Sequence, residues 1–149
     1  MLLAFKALNT AWSLYLSNEM DRKLKLSLDL PVSPGRLFRD WLDSAAHSAF
    51  TGSPAHMSSE LNEEFTTWDG YIKGKNLELD APTRIIQAWR TTEFPDNAPD
   101  SLLELVFEPV GEHTRLTLRH SDIPDGQADR YEEGWMDFYF NPMREYYSK

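Results

Sequence analysis

The chain has 149 residues and a net charge of −9, from 15 basic and 24 acidic residues, and it contains no cysteine. This length indicates one domain with a sizeable core, and the acidic balance disfavours nucleic acid and anionic membranes as partners. The lack of cysteine excludes thiol catalysis, cysteine-based zinc sites and disulfides, and it agrees with a reducing, cytoplasmic compartment.

Residues 1–19 leave two interpretations open. The first is an N-terminal extension that forms an amphipathic helix, because one helical face collects Phe5, Leu8, Trp12, Tyr15 and Leu16. The second is that translation starts at Met20, immediately before the first strand. No apolar run resembles a signal peptide or approaches the roughly 20 residues of a membrane span. We therefore expect a single domain over residues 20–149.

The first elements of this domain are a strand and one or two short helices. Over residues 22–30, leucines alternate with polar residues, which is typical of a half-buried strand. Ser33 and Pro34 have the residue types of a helix N-cap and first helical position. The helix that they start has an apolar face that includes Leu37, Phe38 and Trp41.

After Pro54 the apolar pattern changes to a period of two, which predicts a run of antiparallel strands. Asp69-Gly70 is a tight-turn signal within this run. Hairpins set apart from helices indicate an α+β fold, here a curved antiparallel sheet wrapped around a long C-terminal helix. The predicted strands cover residues 55–61, 64–68, 71–79, 84–94, 102–108 and 114–121.

The C-terminal segment predicts an amphipathic helix with an aromatic stripe. Large apolar groups recur at steps of three and four, at Tyr131, Trp135, Phe138, Pro142 and Tyr146. Pro142 has no N–H for the carbonyl of Phe138, so the helix either kinks there or restarts with Asn141 as a new N-cap.

The inward faces of the strands and the helix predict a shared interior, which either closes completely or leaves a ligand cavity. Gln87, between two apolar residues of one strand face, needs a hydrogen-bond partner: His120, a water or a ligand group. The core interpretation of the tryptophans and of His120 is the simpler one. The candidate cavity residues are Ile85, Gln87, Trp89, Leu103, Leu105, Phe107, Leu118, His120, Trp135, Phe138 and Tyr139.

An ordered series of motifs resembles one family. It consists of Trp68-Asp69-Gly70, Gly74, Ile85 with Trp89-Arg90, Thr114-Arg115-Leu116 with His120, and Gly134-Trp135 with Tyr139-Phe140-Asn141-Pro142. Together these resemble the C-terminal domain of activators of the heat-shock-protein-ninety ATPase, within the START-like, helix-grip superfamily. The resemblance covers about residues 22–147 and implies a sheet that grips the C-terminal helix, usually around an apolar cavity.

The resemblance implies two roles for such a domain. One is a co-chaperone that binds heat shock protein 90 and stimulates its ATPase; the other is a binder of small lipophilic molecules. Family activators carry a separate N-terminal domain, for which 149 residues leave no room, so any chaperone activation is expected to be weak.

Catalytic motifs are missing from the sequence. The four histidines lack metal-binding spacing, and there is no P-loop, dinucleotide fingerprint or nucleophile elbow. We therefore predict no catalytic residue, metal or cofactor. The expected function is a non-enzymatic co-chaperone, the alternative is a carrier or sensor of a small hydrophobic ligand, and an enzyme of cyclase or hydrolase type is a minor third.

Overall fold

A computed structural model describes residues 22–149, so both interpretations of residues 1–19 lie outside the described part. The strands are β1 (Leu24–Leu30), β2 (Glu64–Thr67), β3 (Ile72–Asp80), β4 (Arg84–Thr91), β5 (Ser101–Val110) and β6 (His113–Ser121). The helices are α1 (Pro34–Trp41), α2 (Ser44–Thr51), α3 (Ala128–Trp135) and α4 (Asn141–Tyr147), and a π-helical turn, Met136–Phe140, joins α3 to α4. Within residues 22–149, no helix is long and apolar enough to cross a membrane.

The six strands form one curved antiparallel sheet in the order β1-β6-β5-β4-β3-β2. Its concave face packs against the C-terminal helix, and α1 and α2 lie after the first strand, which confirms the predicted α+β helix-grip fold. The register places Gln87 opposite Leu103, and Leu103 opposite His120, so the inward faces of β4, β5 and β6 form continuous rows. Alternation along each strand then sends the apolar side chains to the core.

The helices α1 and α2 begin with side-chain caps, as the sequence predicts for the first of them. The Ser33 hydroxyl accepts from the N–H of Arg36 at 3.3 Å, and Pro34 follows as the first helical residue. The Asp43 carboxylate accepts from the N–H of Ala46 at 2.9 Å and caps α2. Helix α1 packs its apolar face on β5 and β6, and α2 packs against α1, the π turn and α4.

The prediction of a strand over residues 55–61 is wrong. Only His56 makes a ladder contact there, an isolated bridge to Thr66. The carbonyls of Ser58 and Glu60 accept from the Asn76 side-chain amide at 2.8 and 3.1 Å. Because a side chain satisfies these backbone groups, the segment forms a loop despite its alternating pattern.

The turn between β2 and β3 has an unusual backbone. Trp68 and Asp69 have φ of 53° and 54°, and Gly70 follows with φ of 87°. Glycine adopts this left-handed region without strain, which explains Gly70. Gly74 serves a different purpose, because a Cβ there would clash with the carbonyl oxygen of Ala88.

The C-terminal helix continues through Pro142 by means of the π turn. The N–H of Asn141 donates to the carbonyl of Met136, and Asn141 itself is helical with φ of −64° and ψ of −47°. The prediction of a restart with Asn141 as an N-cap is therefore wrong. The π turn also accommodates Pro142, which lacks the N–H of a regular α-helical bond.

The same turn shifts the aromatic stripe by one residue. A π turn contains more residues than an α turn, so the face that reaches the core advances along the sequence. Phe138 is 54% exposed, which corrects its predicted place on the buried stripe, and Pro142 and Tyr146 are half-buried. The side chains buried at steps of four are Tyr131, Trp135, Tyr139, Met143 and Tyr147.

Candidate functional site

A cavity of about 370 Å³ lies between the C-terminal helix and the β3–β4 side of the concave sheet face. Seven of its ten lining residues are aromatic, and Arg130 is the only one with a charged side chain. The lining consists of Trp68, Tyr71, Ile72, Trp89, Arg130, Tyr131, Gly134, Trp135, Phe138 and Tyr139. The cavity therefore presents mainly ring surface to an occupant.

Three parts of the fold position these rings. β4 supplies Trp89, whose ring lies 5.5 Å from that of Trp135 on α3. The π turn directs the Tyr139 side chain into the core, where its ring centre lies 4.8 Å from that of Trp135, and it leaves Phe138 outside the core. The β2–β3 turn supplies Trp68, which meets Phe138 edge to face at 5.2 Å. The cavity thus depends on the irregular backbone of both the turn and the helix.

Glu93 and Arg130 form a polar cluster beside the cavity with Tyr71. The Tyr71 hydroxyl donates to the Glu93 carboxylate, and Arg130 Nη1 lies 3.0 Å from Glu93 Oε1. The hydrogen bond from Tyr71, followed by the charge of Arg130, lowers the pKa of Glu93. Burial, with the hydrogen bond to Glu93, raises the pKa of Tyr71 to about 12. At neutral pH the Arg130 guanidinium is thus already paired with a carboxylate.

Unlike these paired groups, the Trp68 indole N–H has no hydrogen-bond partner in the described part of the chain. Among residues 22–149, Trp68 Nε1 is the single buried side-chain nitrogen or oxygen that makes no hydrogen bond. Buried polar groups in folded proteins are almost always partnered. One unsatisfied donor therefore belongs to a residue of the cavity wall.

The predicted cavity residues divide into two groups. Trp89, Trp135, Phe138 and Tyr139 line the cavity. The rest are buried on the same concave face but lie outside its lining, because other side chains cover them; the Phe107 ring, for example, packs on Phe38 at 5.6 Å. This second group consists of Ile85, Gln87, Leu103, Leu105, Phe107, Leu118 and His120.

Gln87 is satisfied within the protein. Its Oε1 accepts from the Trp41 indole N–H at 3.3 Å, and its Nε2 donates to Asn76 Oδ1 at 2.9 Å. The predicted partner His120 is not involved. Gln87 therefore links the sheet to α1 and has no need of a ligand group.

His120 also belongs to a closed chain of hydrogen bonds. The Trp135 indole N–H donates to His120 Nδ1 at 3.1 Å, so the ring proton lies on Nε2 and is donated to Ser101 Oγ at 2.8 Å. The Ser101 hydroxyl donates onward to the Trp89 carbonyl at 2.7 Å. Burial lowers the pKa of His120 to about 3, so the ring stays neutral. This serine–histidine pair does not have the orientation of a nucleophile and its base.

Sequence reasoning missed a second buried histidine. His47 Nδ1 donates to the Trp41 carbonyl at 2.8 Å, and Nε2 lies 2.9 Å from the Tyr139 hydroxyl. The Tyr139 hydroxyl is also hydrogen-bonded to Thr67 Oγ1 at 3.1 Å. Burial lowers the pKa of His47 to about 4. Its burial could have been predicted, because His47 lies three residues before the apolar Phe50 and therefore on the same face of the helix.

Sequence reasoning also missed six residues of the cavity wall: Trp68, Tyr71, Ile72, Arg130, Tyr131 and Gly134. The first three belong to the left-handed turn or directly follow it, and the alternation of apolar and polar residues in the sequence does not predict the geometry of such a turn. Within the described residues, no group of three or more histidine or acidic side chains is placed to hold a metal ion.

Comparisons with known proteins agree on one family. The family model described as "Activator of Hsp90 ATPase homolog 1-like protein" matches residues 31–148. The human "Activator of 90 kDa heat shock protein ATPase homolog 1" is 25% identical over 123 residues, which are 83% of this chain and 36% of that protein. The chain therefore spans about a third of the length of the curated relatives that it matches.

Solved structures share the fold at low sequence identity. An HSP90 activator from Plasmodium falciparum superposes with a TM-score of 0.75 at 23% identity, covering 80% of this chain and 91% of that one. Protein CV1439 from Chromobacterium violaceum superposes with a TM-score of 0.70 at 19% identity, covering 86% and 98% respectively.

Proposed function

The chain belongs to the family described as Activator of Hsp90 ATPase homolog 1-like protein, and from that premise we propose that it is a non-enzymatic domain that binds a small apolar ligand. The observation that carries this proposal is the cavity of about 370 Å³ with seven aromatic residues in its wall. Pockets for small molecules are mostly apolar and typically enclose about 300–1,000 Å³. The cavity is at the small end of that range, which favours a compact ligand of a few fused rings.

The chemistry of the wall favours binding over turnover. The lining has no serine, histidine or carboxylate, and its one charged group, Arg130, is paired with Glu93. The buried histidines hold neutral rings inside closed hydrogen-bond chains. The hydroxyls of the lining residues Tyr71, Tyr131 and Tyr139 already have hydrogen-bond partners within the protein, in agreement with the proposed non-enzymatic role.

The test uses a residue that can fill the cavity from within. Gly134 lies in the wall on α3, and a Cβ there would meet only Phe138 Cδ2, at 4.0 Å. We expect N-phenyl-1-naphthylamine, a neutral fluorescent probe, to bind the wild type and Gly134→Ala. Gly134→Phe should remain folded and lose the probe, because the added ring occupies its space. Fluorescence titration measures both, and equal binding by all three proteins, or none by the wild type, would contradict the proposal.

We propose chaperone binding as a second function. Its support is that curated relatives from human, mouse and Dictyostelium discoideum are named activators of the 90 kDa heat shock protein ATPase. The exposed face of the C-terminal helix carries Glu132, Glu133 and Asp137, which could meet a basic surface of the chaperone. The domain would then bind this chaperone and stimulate its ATPase.

The corresponding experiment measures ATP hydrolysis by the chaperone of the same organism with increasing amounts of this protein. We expect a modest increase in rate, which Glu132→Lys with Glu133→Lys should reduce. Gly134→Phe is the matched control, since it blocks the cavity and leaves the acidic face intact. No increase in the rate of ATP hydrolysis at high protein concentration would remove this second function and leave the ligand proposal standing.

A further inference from the structure

We propose that the ligand of the cavity carries a hydrogen-bond acceptor, such as a carbonyl oxygen or an aromatic ring nitrogen, which accepts from the indole N–H of Trp68. This inference rests on the proposed ligand-binding function and narrows it. It selects flat, mostly aromatic molecules with an acceptor, and it disfavours plain hydrocarbons and ammonium compounds, which have none.

The first support is the missing partner of the indole. Trp68 Nε1 is buried, makes no hydrogen bond within residues 22–149 and belongs to a residue of the cavity wall. An unsatisfied buried donor is costly, because it has lost its water without gaining another acceptor. A ligand acceptor would supply the missing bond.

The second support is the backbone that holds this side chain. Trp68 has φ of 53°, and Asp69 after it has φ of 54°. A bulky residue in the left-handed region is strained, and such strain persists where the surrounding structure requires it, commonly at binding sites. The strain and the unpartnered N–H thus occur at one residue of the wall.

The third support is that other donors around the cavity already have acceptors. The Tyr71 hydroxyl donates to Glu93, and Arg130 is paired with the same carboxylate. The Tyr131 hydroxyl donates to Gln127 Oε1 at 2.6 Å, and the Trp135 N–H donates to His120. Among the buried donors of the wall, Trp68 is therefore available to a polar ligand group, whereas Tyr71, Tyr131 and Trp135 would have to give up a partner. The further N–H groups of Arg130 belong to a side chain that is 51% exposed and can donate to water.

An acceptor can approach this N–H if Phe138 moves. The Phe138 ring packs on Trp68 at 5.2 Å and is 54% exposed, so it can turn outward without leaving a hole in the core. Ligand entry should accordingly displace Phe138 and leave the buried Tyr139 in place.

The experiment compares naphthalene with quinoline, which have the same shape but differ in one ring nitrogen. Binding is measured by equilibrium dialysis at pH 7.5 for the wild type, Trp68→Phe and Tyr146→Phe, a control on the C-terminal helix outside the cavity lining. We expect quinoline to gain about 2- to 12-fold over naphthalene through the hydrogen bond to Trp68, an advantage that Trp68→Phe loses and Tyr146→Phe keeps. The quantity compared is the ratio of quinoline affinity to naphthalene affinity in each variant. Because the hydration of each probe is the same in every experiment, the difference in hydration between the two probes cancels in this comparison.

A second measurement does not depend on the variants. In a ¹⁵N-labelled sample, quinoline should move the indole N–H signal of Trp68 downfield, and naphthalene should not. If both probes bind and the quinoline ratio is the same in the wild type and Trp68→Phe, or the indole signal does not respond, the acceptor inference is overturned while the ligand function stands. If neither probe binds, the ligand function falls together with the inference.

Discussion

The two ends of the interior are both rich in aromatic side chains, but only one of them is closed. At the closed end, Trp41, His47 and Gln87 are buried, and each has a hydrogen-bond partner inside the protein. At the open end, Trp68 has an unpartnered N–H and Phe138 is 54% exposed beside a cavity. Both ends use side chains of the same C-terminal helix.

The difference lies in what covers each end. At the closed end, α1 and α2 pack over the helix, so Trp41 meets Tyr139 at 5.3 Å and Phe50 at 6.0 Å. At the open end, the contacts to the helix come instead from Trp89 of β4, from the pair of Glu93 with Arg130, and from the strained β2–β3 turn through Trp68 and Phe138. Aromatic residues by themselves therefore do not make a cavity, and the elements that cover them decide it.

The largest expected effect is at the closed end. Trp41→Ala should destabilise the domain by about 3–5 kcal/mol, because it removes a buried ring that has no element free to refill its space. Urea unfolding followed by circular dichroism measures this loss. If Trp41→Ala lowers the free energy of unfolding by less than about 1 kcal/mol, the closed end is loosely packed and does not differ from the open end in the way described.

Replacing Gln87 tests whether hydrogen bonding also keeps this end closed. Gln87→Leu leaves the Trp41 N–H and Asn76 Oδ1 without their present partner. We expect a total cost of about 1–3 kcal/mol, because buried polar groups lose their hydrogen-bond partner. The exposed loop residue Asn97 provides the control, since Asn97→Leu should leave the urea midpoint nearly unchanged.

Acid should act on the buried histidines. Burial lowers the folded-state pKa of His47 to about 4 and of His120 to about 3, below the unfolded value of about 6.5. The unfolded chain thus binds more protons, so stability is complete above pH 6.5 and is lost as pH falls towards these folded values. Between pH 7 and pH 5 we expect a loss of about 2 kcal/mol for each histidine. Urea titrations at the two pH values measure this loss, and a flat profile would contradict the prediction.

The smallest expected effect is at the open end. Phe138→Ala should cost less than about 1 kcal/mol, because the ring is mostly in solvent and leaves no buried hole. Thermal unfolding of this variant beside Trp41→Ala gives the contrast directly. Equal losses in the two variants would mean that Phe138 is part of the packed core in solution.

The fold was largely predictable, since most of its elements follow from local patterns. The leucines of β1, the cap at Ser33 and the turn at Asp69-Gly70 each depend on a few neighbouring residues. The strand predicted over residues 55–61 failed because a side chain distant in sequence, that of Asn76, binds the backbone of this segment.

The candidate site was predictable only in part. Trp89 and Trp135 were expected to share the interior, and their rings lie 5.5 Å apart. Trp68 and Tyr71 were missed, because their place in the wall depends on a left-handed turn. Phe138 was placed on the buried stripe because a regular α-helix was assumed.

The sequence by itself determined the α+β class, the family and the aromatic nature of the interior, because periodicity, caps and motifs are properties of short segments. Only the tertiary structure decided which aromatic residues are core and which line the cavity. The π turn adds one residue to the helical repeat and exchanges Phe138 for Tyr139, and the partners of Gln87 and His47 come from elements far apart in the chain. Such contacts depend on the packing of the whole domain, which no local pattern records.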